Sequence, residues 1–166
     1  MRKITFLLLI CSLLMIKKGL AQELAVQREV LCFDKGWSFH LGDIPFPVVR
    51  GHSASYRNAK AGHAGGAAAP GYDDSSWHVL DLPHDWAIEG SVDPEANLSQ
   101  GYYKRGIGWY RRKFKLLPED KGKHIELQFD GIATHATVWV NGTLLHRNWC
   151  GYTSMYIDVT PYVPYG

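Results

Sequence analysis

The stretch Ala136-Thr137-Val138-Trp139-Val140-Asn141-Gly142 decides the architecture. Ala136, Val138 and Val140 recur every second residue, the period at which one face of a β-strand is buried. Asn141-Gly142 then stands between two β-prone runs. That dipeptide is a strong hairpin signal, because a type I′ turn needs positive φ at both central residues. The same period appears elsewhere. Trp37-Ser38-Phe39-His40-Leu41 alternates apolar with polar. Ile125, Leu127 and Phe129 share a face, as do Met155, Ile157 and Val159. From Trp109 to Leu116, Tyr110, Phe114 and Leu116 are expected inward, with Arg111, Lys113 and Lys115 outward. Asp130-Gly131 is a second turn candidate, and Asp73 is placed to cap one helical turn over Asp73–Trp77. No segment after the first 21 residues carries a helical stripe longer than about two turns. Short strands with turn signals imply an all-β sandwich or barrel, here a jelly-roll-like β-sandwich.

Composition narrows the class. The chain has 166 residues, 46% hydrophobic and 20% charged, about the length of one domain. This excludes disorder, collagen and coiled coil, and a mean hydropathy of −0.19 excludes a multi-span membrane protein. Met1-Arg2-Lys3, the apolar run Ile4–Ile16 and the small residues Gly19 and Ala21 have the order of a signal peptide. Residues 1–21 are therefore read as a signal peptide cleaved near Ala21-Gln22, and 22–166 as one exported domain, periplasmic or extracellular. An uncleaved anchor is the alternative, although 13 apolar residues fall short of the roughly 20 that span a bilayer. Removal of the segment takes four basic residues and leaves 14 basic against 16 acidic, a net charge of −2. A nucleic-acid partner then loses its electrostatic basis, and no membrane partner is expected after cleavage. Cys32 and Cys150 remain, and two readings stay open: a disulfide in an oxidising compartment, or two buried thiols.

The stretch 43–71, rich in Gly, Ala and Pro, is expected to be a long surface loop. Its His52 and His63 lack ligand spacing, so no metal site is expected. His84 and Asp85 are adjacent in Pro83-His84-Asp85-Trp86, but neighbours in an extended segment point apart. A structural corner with Asp85 accepting backbone N–H bonds fits better than a catalytic pair. No Gly-x-Ser-x-Gly motif is present. None of Glu23, Glu29, Glu89, Glu95, Glu119 and Glu126 forms half of a recognisable acid pair. Gly101–Arg111 is a glycine-rich loop with aromatic and cationic residues, but no phosphate-binding pattern. Its Arg105 is either a ligand or domain contact or a solvated cation. Six Trp and nine Tyr are many for this length. Such rings stack on the C–H faces of sugars or fill a core. Trp139 runs out of phase with Val138 and Val140, so it is expected to be exposed or covered by a neighbouring domain.

The order of these motifs resembles the opening domain of family 2 glycoside hydrolases of the β-galactosidase type. The resemblance runs through Phe33–Asp43, Tyr72–Trp77, Leu82–Trp86, Gly106–Arg111, Phe129–Gly131, Val138–Gly142 and Gly151–Ser154, and covers nearly all of 33–166. It implies a jelly-roll, sugar-binding domain that precedes an immunoglobulin-like domain and a catalytic barrel. It implies that the barrel supplies both catalytic glutamates, one of them after an Asn; no Asn-Glu dipeptide occurs here. It implies another strand beyond Gly166, whose loss would leave an open sheet edge. Its implied partners are a terminal β-glycoside and the barrel, with no cofactor and no catalytic residue in this chain. Arg105, Trp109, His84, Asp85 and Trp139 are the carbohydrate-binding or barrel-facing candidates. A free-standing carbohydrate-binding module and a non-functional fragment remain as alternatives.

Overall fold

The computed structural model describes residues 28–166, and the signal-peptide reading of 1–21 lies outside them. The chain divides into Met1–Phe33 and Asp34–Gly166. The first unit is described only over its last six residues, an irregular segment. Apart from the exposure of Cys32, all that follows concerns the second.

Seven short strands dominate this unit: β1 (Trp37–Leu41), β2 (His78–Leu80), β3 (Gly108–Arg111), β4 (Glu126–Phe129), β5 (Ala136–Val140), β6 (Thr143–Asn148) and β7 (Met155–Asp158). Two short helices, α1 (His52–Asn58) and α2 (Trp86–Glu89), interrupt them. β1 is the centre of a three-stranded sheet in the order β2-β1-β3; β4 pairs with β7 and β5 with β6, every pairing antiparallel. The protein is thus mostly β, as the alternation requires.

The hairpin is the one the dipeptide predicts. Val140 faces Thr143, and Asn141 and Gly142 both have positive φ, 47° and 73°. The Asn141 amide also donates to the Tyr162 carbonyl at 2.6 Å, which ties the turn to the C-terminal segment. Past the turn, Trp139 pairs with Leu144 but Val138 with His146, so Leu145 is a bulge.

The main core joins the faces that the alternation marks. Val140, Ile157, Val159 and Val163 are buried, with Val159 fully inaccessible; Ile125, Leu127, Phe129 and Val138 pack against them. On the three-stranded sheet, Trp37, Phe39 and Trp77 are buried. Burial of such side chains is worth about 1.5–3 kcal/mol each, and this holds short strands together. Leu41 departs from the pattern and is 55% exposed. Its ladder partner is Gly108, which offers no side chain to pack against.

Two larger departures share one cause. Segment 43–71 is not merely a surface loop. It contains α1, and its Gly66–Ala68 3-10 turn buries Ala67 and Ala68 to 2% and 7% exposure. Arg111, expected to point outward, holds that turn down. Its Nη1 donates to the Ala67 carbonyl and, at 3.2 Å, to the Ala69 carbonyl. Its Nε faces the Asp74 carboxylate at 3.4 Å, and Lys113 Nζ reaches the same carboxylate at 2.6 Å. The side chains of Arg111 and Asp74 are 13% and 8% exposed. Alternation assigned Arg111 a face but could not show that a distant segment covers that face. Regular pairing in β3 ends at Arg111; Leu116 makes only an isolated bridge to Tyr165.

Smaller elements resolve as follows. Asp73–Trp77 forms a hydrogen-bonded turn rather than a helix, and Asp73 Oδ1 accepts from the Ser75 N–H at 3.0 Å. Asp130-Gly131 is a bend. Gly131 is required there because a Cβ would lie 2.5 Å from the Gly151 carbonyl oxygen. Cys150 is an exposed free thiol and Cys32 is exposed too, so, of the two readings left open, that of two buried thiols is corrected. Cys150 lies in the irregular segment after β6, where no packed face covers it.

Candidate functional site

In the corner at 83–86 Asp85 accepts a backbone N–H, as its sequence suggested. Asp85 is the N-cap of α2 and accepts from the Ala87 N–H at 3.0 Å, satisfying one of the helix's orphan donors. His84 turns the other way. Its Nδ1 lies 2.7 Å from the Tyr110 hydroxyl and its Nε2 3.1 Å from Glu89 Oε1. Phe39 meets its ring edge-on at 4.8 Å. His84 and Asp85 therefore have separate partners. Tyr110 is pushed up to about 12, by burial first and then by the negative charges of Asp85 and Glu89. Its phenol stays neutral, a hydrogen-bonding strut rather than an acid.

Trp86 carries the glycine-rich loop. A Cβ on Gly108 would lie 3.0 Å from the Phe39 ring and 3.1 Å from Trp86 Nε1, and one on Gly106 would lie 3.6 Å from Trp86. Glycine thus lets the loop lie against the indole, which brings the 84–86 corner and the Arg105 segment together. The loop base is fixed by Lys104 to Asp93 at 3.1 Å and by the Asp93 N–H to the Tyr102 carbonyl at 2.9 Å. Arg105 itself is exposed. Ile107, two residues on in the same loop, is 51% exposed, and Leu41, paired with Gly108 at the end of that loop, is 55% exposed.

Trp109 and Trp139 form a different group. Their rings stack 5.6 Å apart at 25°, and Phe46 lies 6.0 Å from Trp109 and 5.9 Å from Trp139. Trp139 is half-buried, and what covers it is the 43–71 segment and β3 of its own chain. The Trp109 Nε1 is buried without a hydrogen-bond partner in the domain. The five candidates thus fall on two patches: His84, Asp85 and Arg105 on one, Trp109 and Trp139 on the other.

With that geometry in place, the comparisons are specific. Residues 78–166 match the model of the glycosyl hydrolase 2 galactose-binding domain-like family. The chain belongs to this family. A β-galactosidase of Bacteroides ovatus, BoGH2A, is 37% identical over 145 residues, which cover 86% of this chain and 15% of that protein. A putative β-glucuronidase of Formosa agariphila is 31% identical over 159 residues, 13% of its length. The crystal structure of a β-glycosidase from Bacteroides vulgatus superposes with a TM-score of 0.66 at 34% identity, over 84% of this chain and 16% of that one. The chain thus spans about one-seventh of the length of these relatives.

In this galactose-binding-like domain, the most exposed rings are ones that sequence reasoning passed over. Tyr152 is 95% exposed and Trp149 70%, the latter edge-on to His135 at 5.0 Å. Both flank Cys150 and Gly151, a position from which alternation could not have assigned a face. The domain's four described glutamates lie in separate elements: Glu89 contacts His84 from α2, Glu95 is in the turn after Asp93, Glu119 is in a 3-10 turn and Glu126 is on β4. Among the described residues no three His, Cys, Asp or Glu converge on a metal position.

Proposed function

We propose that this chain is the non-catalytic N-terminal domain of an exported family 2 glycoside hydrolase of β-galactosidase type. Its role is to help shape the pocket for a terminal β-glycoside and to brace the catalytic barrel. The observation that carries this is the match of 86% of the chain to 15% of a β-galactosidase. In such an enzyme hydrolysis is retaining: one glutamate attacks the anomeric carbon and a second acts as acid, then base. The exposed Leu41 and Ile107 beside the Arg105 loop support a barrel-facing surface there, since exposed apolar side chains favour a partner over water. The order of basic, apolar and small residues in the first 21 positions supports export.

The test is to extend the reading frame through the codon for Gly166, express the product, and assay it on nitrophenyl β-galactoside and β-glucuronide. Hydrolysis by the longer product and none by the 166-residue chain is expected. Hydrolysis by the short chain alone, or the lack of any barrel-encoding frame downstream, overturns the reading. A second reading, a free-standing carbohydrate-binding module, is favoured by the exposure of Trp149 and Tyr152. Direct glycan titration of the short chain with Tyr152→Ala as comparison tests it.

A further inference from the structure

Asn141-Gly142 is the chain's only Asn-Gly pair, and the fold sets it where three segments meet. The Asn141 residue is exposed and Gly142 is buried. The turn meets segment 43–71 where the Gly142 carbonyl accepts from the Ala64 N–H at 3.0 Å, and where a Cβ on Gly142 would lie 2.8 Å from the Gly62 carbonyl oxygen. It meets the C-terminal segment where the Asn141 Nδ2 donates to the Tyr162 carbonyl at 2.6 Å. A carbonyl only accepts, so this contact needs an N–H at Asn141. Tyr162 ends the 3-10 turn Thr160–Tyr162, between the buried Val159 and Val163. Thr160 fastens that turn: its Oγ1 accepts from the Ile125 N–H at 2.8 Å and donates to the Ile125 carbonyl at 3.3 Å.

Asparagine is a thermolabile residue, and a following glycine removes the Cβ that would hinder its reaction. The Gly142 backbone nitrogen attacks the Asn141 side-chain carbonyl carbon. Its proton leaves to base, a C–N bond forms, the Cγ–Nδ2 bond breaks and ammonia departs, leaving a cyclic succinimide. Water then adds to either ring carbonyl and opens the ring to aspartate or isoaspartate. No oxidant or reductant takes part. In this fold the attack requires the amide to leave Tyr162 and the buried Gly142 peptide to turn out of its packing against 62–64.

We propose that Asn141 is a deamidation site gated by the C-terminal segment, and that its reaction is a one-way latch. While Tyr162 holds the amide, the pair is kept intact. When the segment opens locally, cyclisation proceeds. The product carboxylate then faces the Tyr162 carbonyl, two acceptors with no proton between them, and the segment docks less firmly than before. The latch is a property of the hairpin and the C-terminal turn, and it is independent of the hydrolase assignment.

The test incubates the full chain in mildly alkaline buffer, with and without urea, and follows Asn141 by peptide mapping and mass spectrometry. Conversion to aspartate and isoaspartate is expected to be at least about tenfold faster in urea, where the gate is open. Thr160→Ala removes both bonds to Ile125 and raises the rate severalfold in a chain that circular dichroism shows to be folded. The second half of the latch is read from melting temperatures. Asp-Gly suits a type I′ turn as Asn-Gly does, so turn preference alone ranks Asn141→Asp above Asn141→Ala. The facing acceptors reverse that order, and Asn141→Asp melts below Asn141→Ala. Equal rates with and without urea, or an Asn141 that stays intact under both, overturns the proposal. So does an Asn141→Asp protein that melts with or above Asn141→Ala. A folded Thr160→Ala chain that reacts no faster than the parent removes the C-terminal segment as the gate and overturns it too; where that variant does not fold, the urea and Asn141→Asp comparisons decide.

Discussion

Arg111→Met is the sharpest perturbation of this fold, because one guanidinium joins three segments. The substitution keeps an unbranched apolar stem and removes every donor. The Asp74 carboxylate retains Lys113 at 2.6 Å, and the Ala69 carbonyl retains the Tyr72 N–H at 3.2 Å. The Ala67 carbonyl, in a residue 2% exposed, loses this charged donor. A hydrogen bond to a charged group contributes about 1.5–3 kcal/mol. The weakened attraction at Asp74 adds about 1 kcal/mol or less, since Lys113 remains. The sum is about 2–4 kcal/mol, a large share of the roughly 5–15 kcal/mol that holds a domain folded. For a unit of this size it lowers the melting temperature by roughly 6–16 °C. Lys113→Met is the control: its side chain is 69% exposed and its removal leaves Arg111 on Asp74, so a loss of about 1 kcal/mol or less is expected. Arg111→Lys keeps the charge without the fork and behaves like the methionine variant. Thermal unfolding followed by circular dichroism reads all three. An Arg111→Met protein that melts with or above Lys113→Met refutes the account of the tether.

The remaining predictions follow from other sites. Val159→Ala, at the inaccessible centre of the core, costs about 2–3 kcal/mol by chemical denaturation. Gly142→Ala destabilises by more than the about 1–2 kcal/mol of left-handed strain, because its Cβ would also lie 2.8 Å from backbone; Asn141→Ala, which keeps room, costs less. Burial raises the proton affinity of the Asp74 carboxylate, but the hydrogen bond and charge of Lys113, with Arg111 behind them, outweigh it and hold the group below the ordinary 3.8. The unfolded chain then binds the proton more tightly, so this stability is present above about pH 4 and is lost as pH falls through the folded value. A pH series on Asp74→Asn shows a smaller loss across that range. Burial first, then the charges of Asp85 and Glu89, push Tyr110 up to about 12, which ultraviolet absorbance would read; its contribution is full below about pH 10 and is lost as pH rises through 12. His84→Phe, which removes the partner of its hydroxyl, changes that titration, and an unchanged curve counts against the contact.

The local chemistry was legible where neighbours along the chain decide it. The I′ turn follows from Asn141-Gly142 alone, since positive φ at both positions is a property of those residues. The buried faces of β4 and β7 follow from alternation, and Asp85 as an acceptor of a backbone N–H follows from its place in a tight corner, although the short helix it caps does not. The family membership is likewise a matter of motif order, which is linear information. What depended on distant segments was not legible. Arg111 reads as a solvent-facing cation until 43–71 lies over it, and Trp139 reads as exposed or covered by a neighbouring domain until Phe46 and Trp109 close on it. Segment 43–71 hides its own packing for the same reason: small residues carry little hydrophobic signal, yet they let the backbone approach closely enough for Ala67 and Ala68 to be buried. Sequence thus determined which residues turn, alternate and cap, because those preferences are settled within a few bonds. The tertiary structure alone decided which polar and aromatic faces meet, because that depends on which remote backbone fills the space beside them.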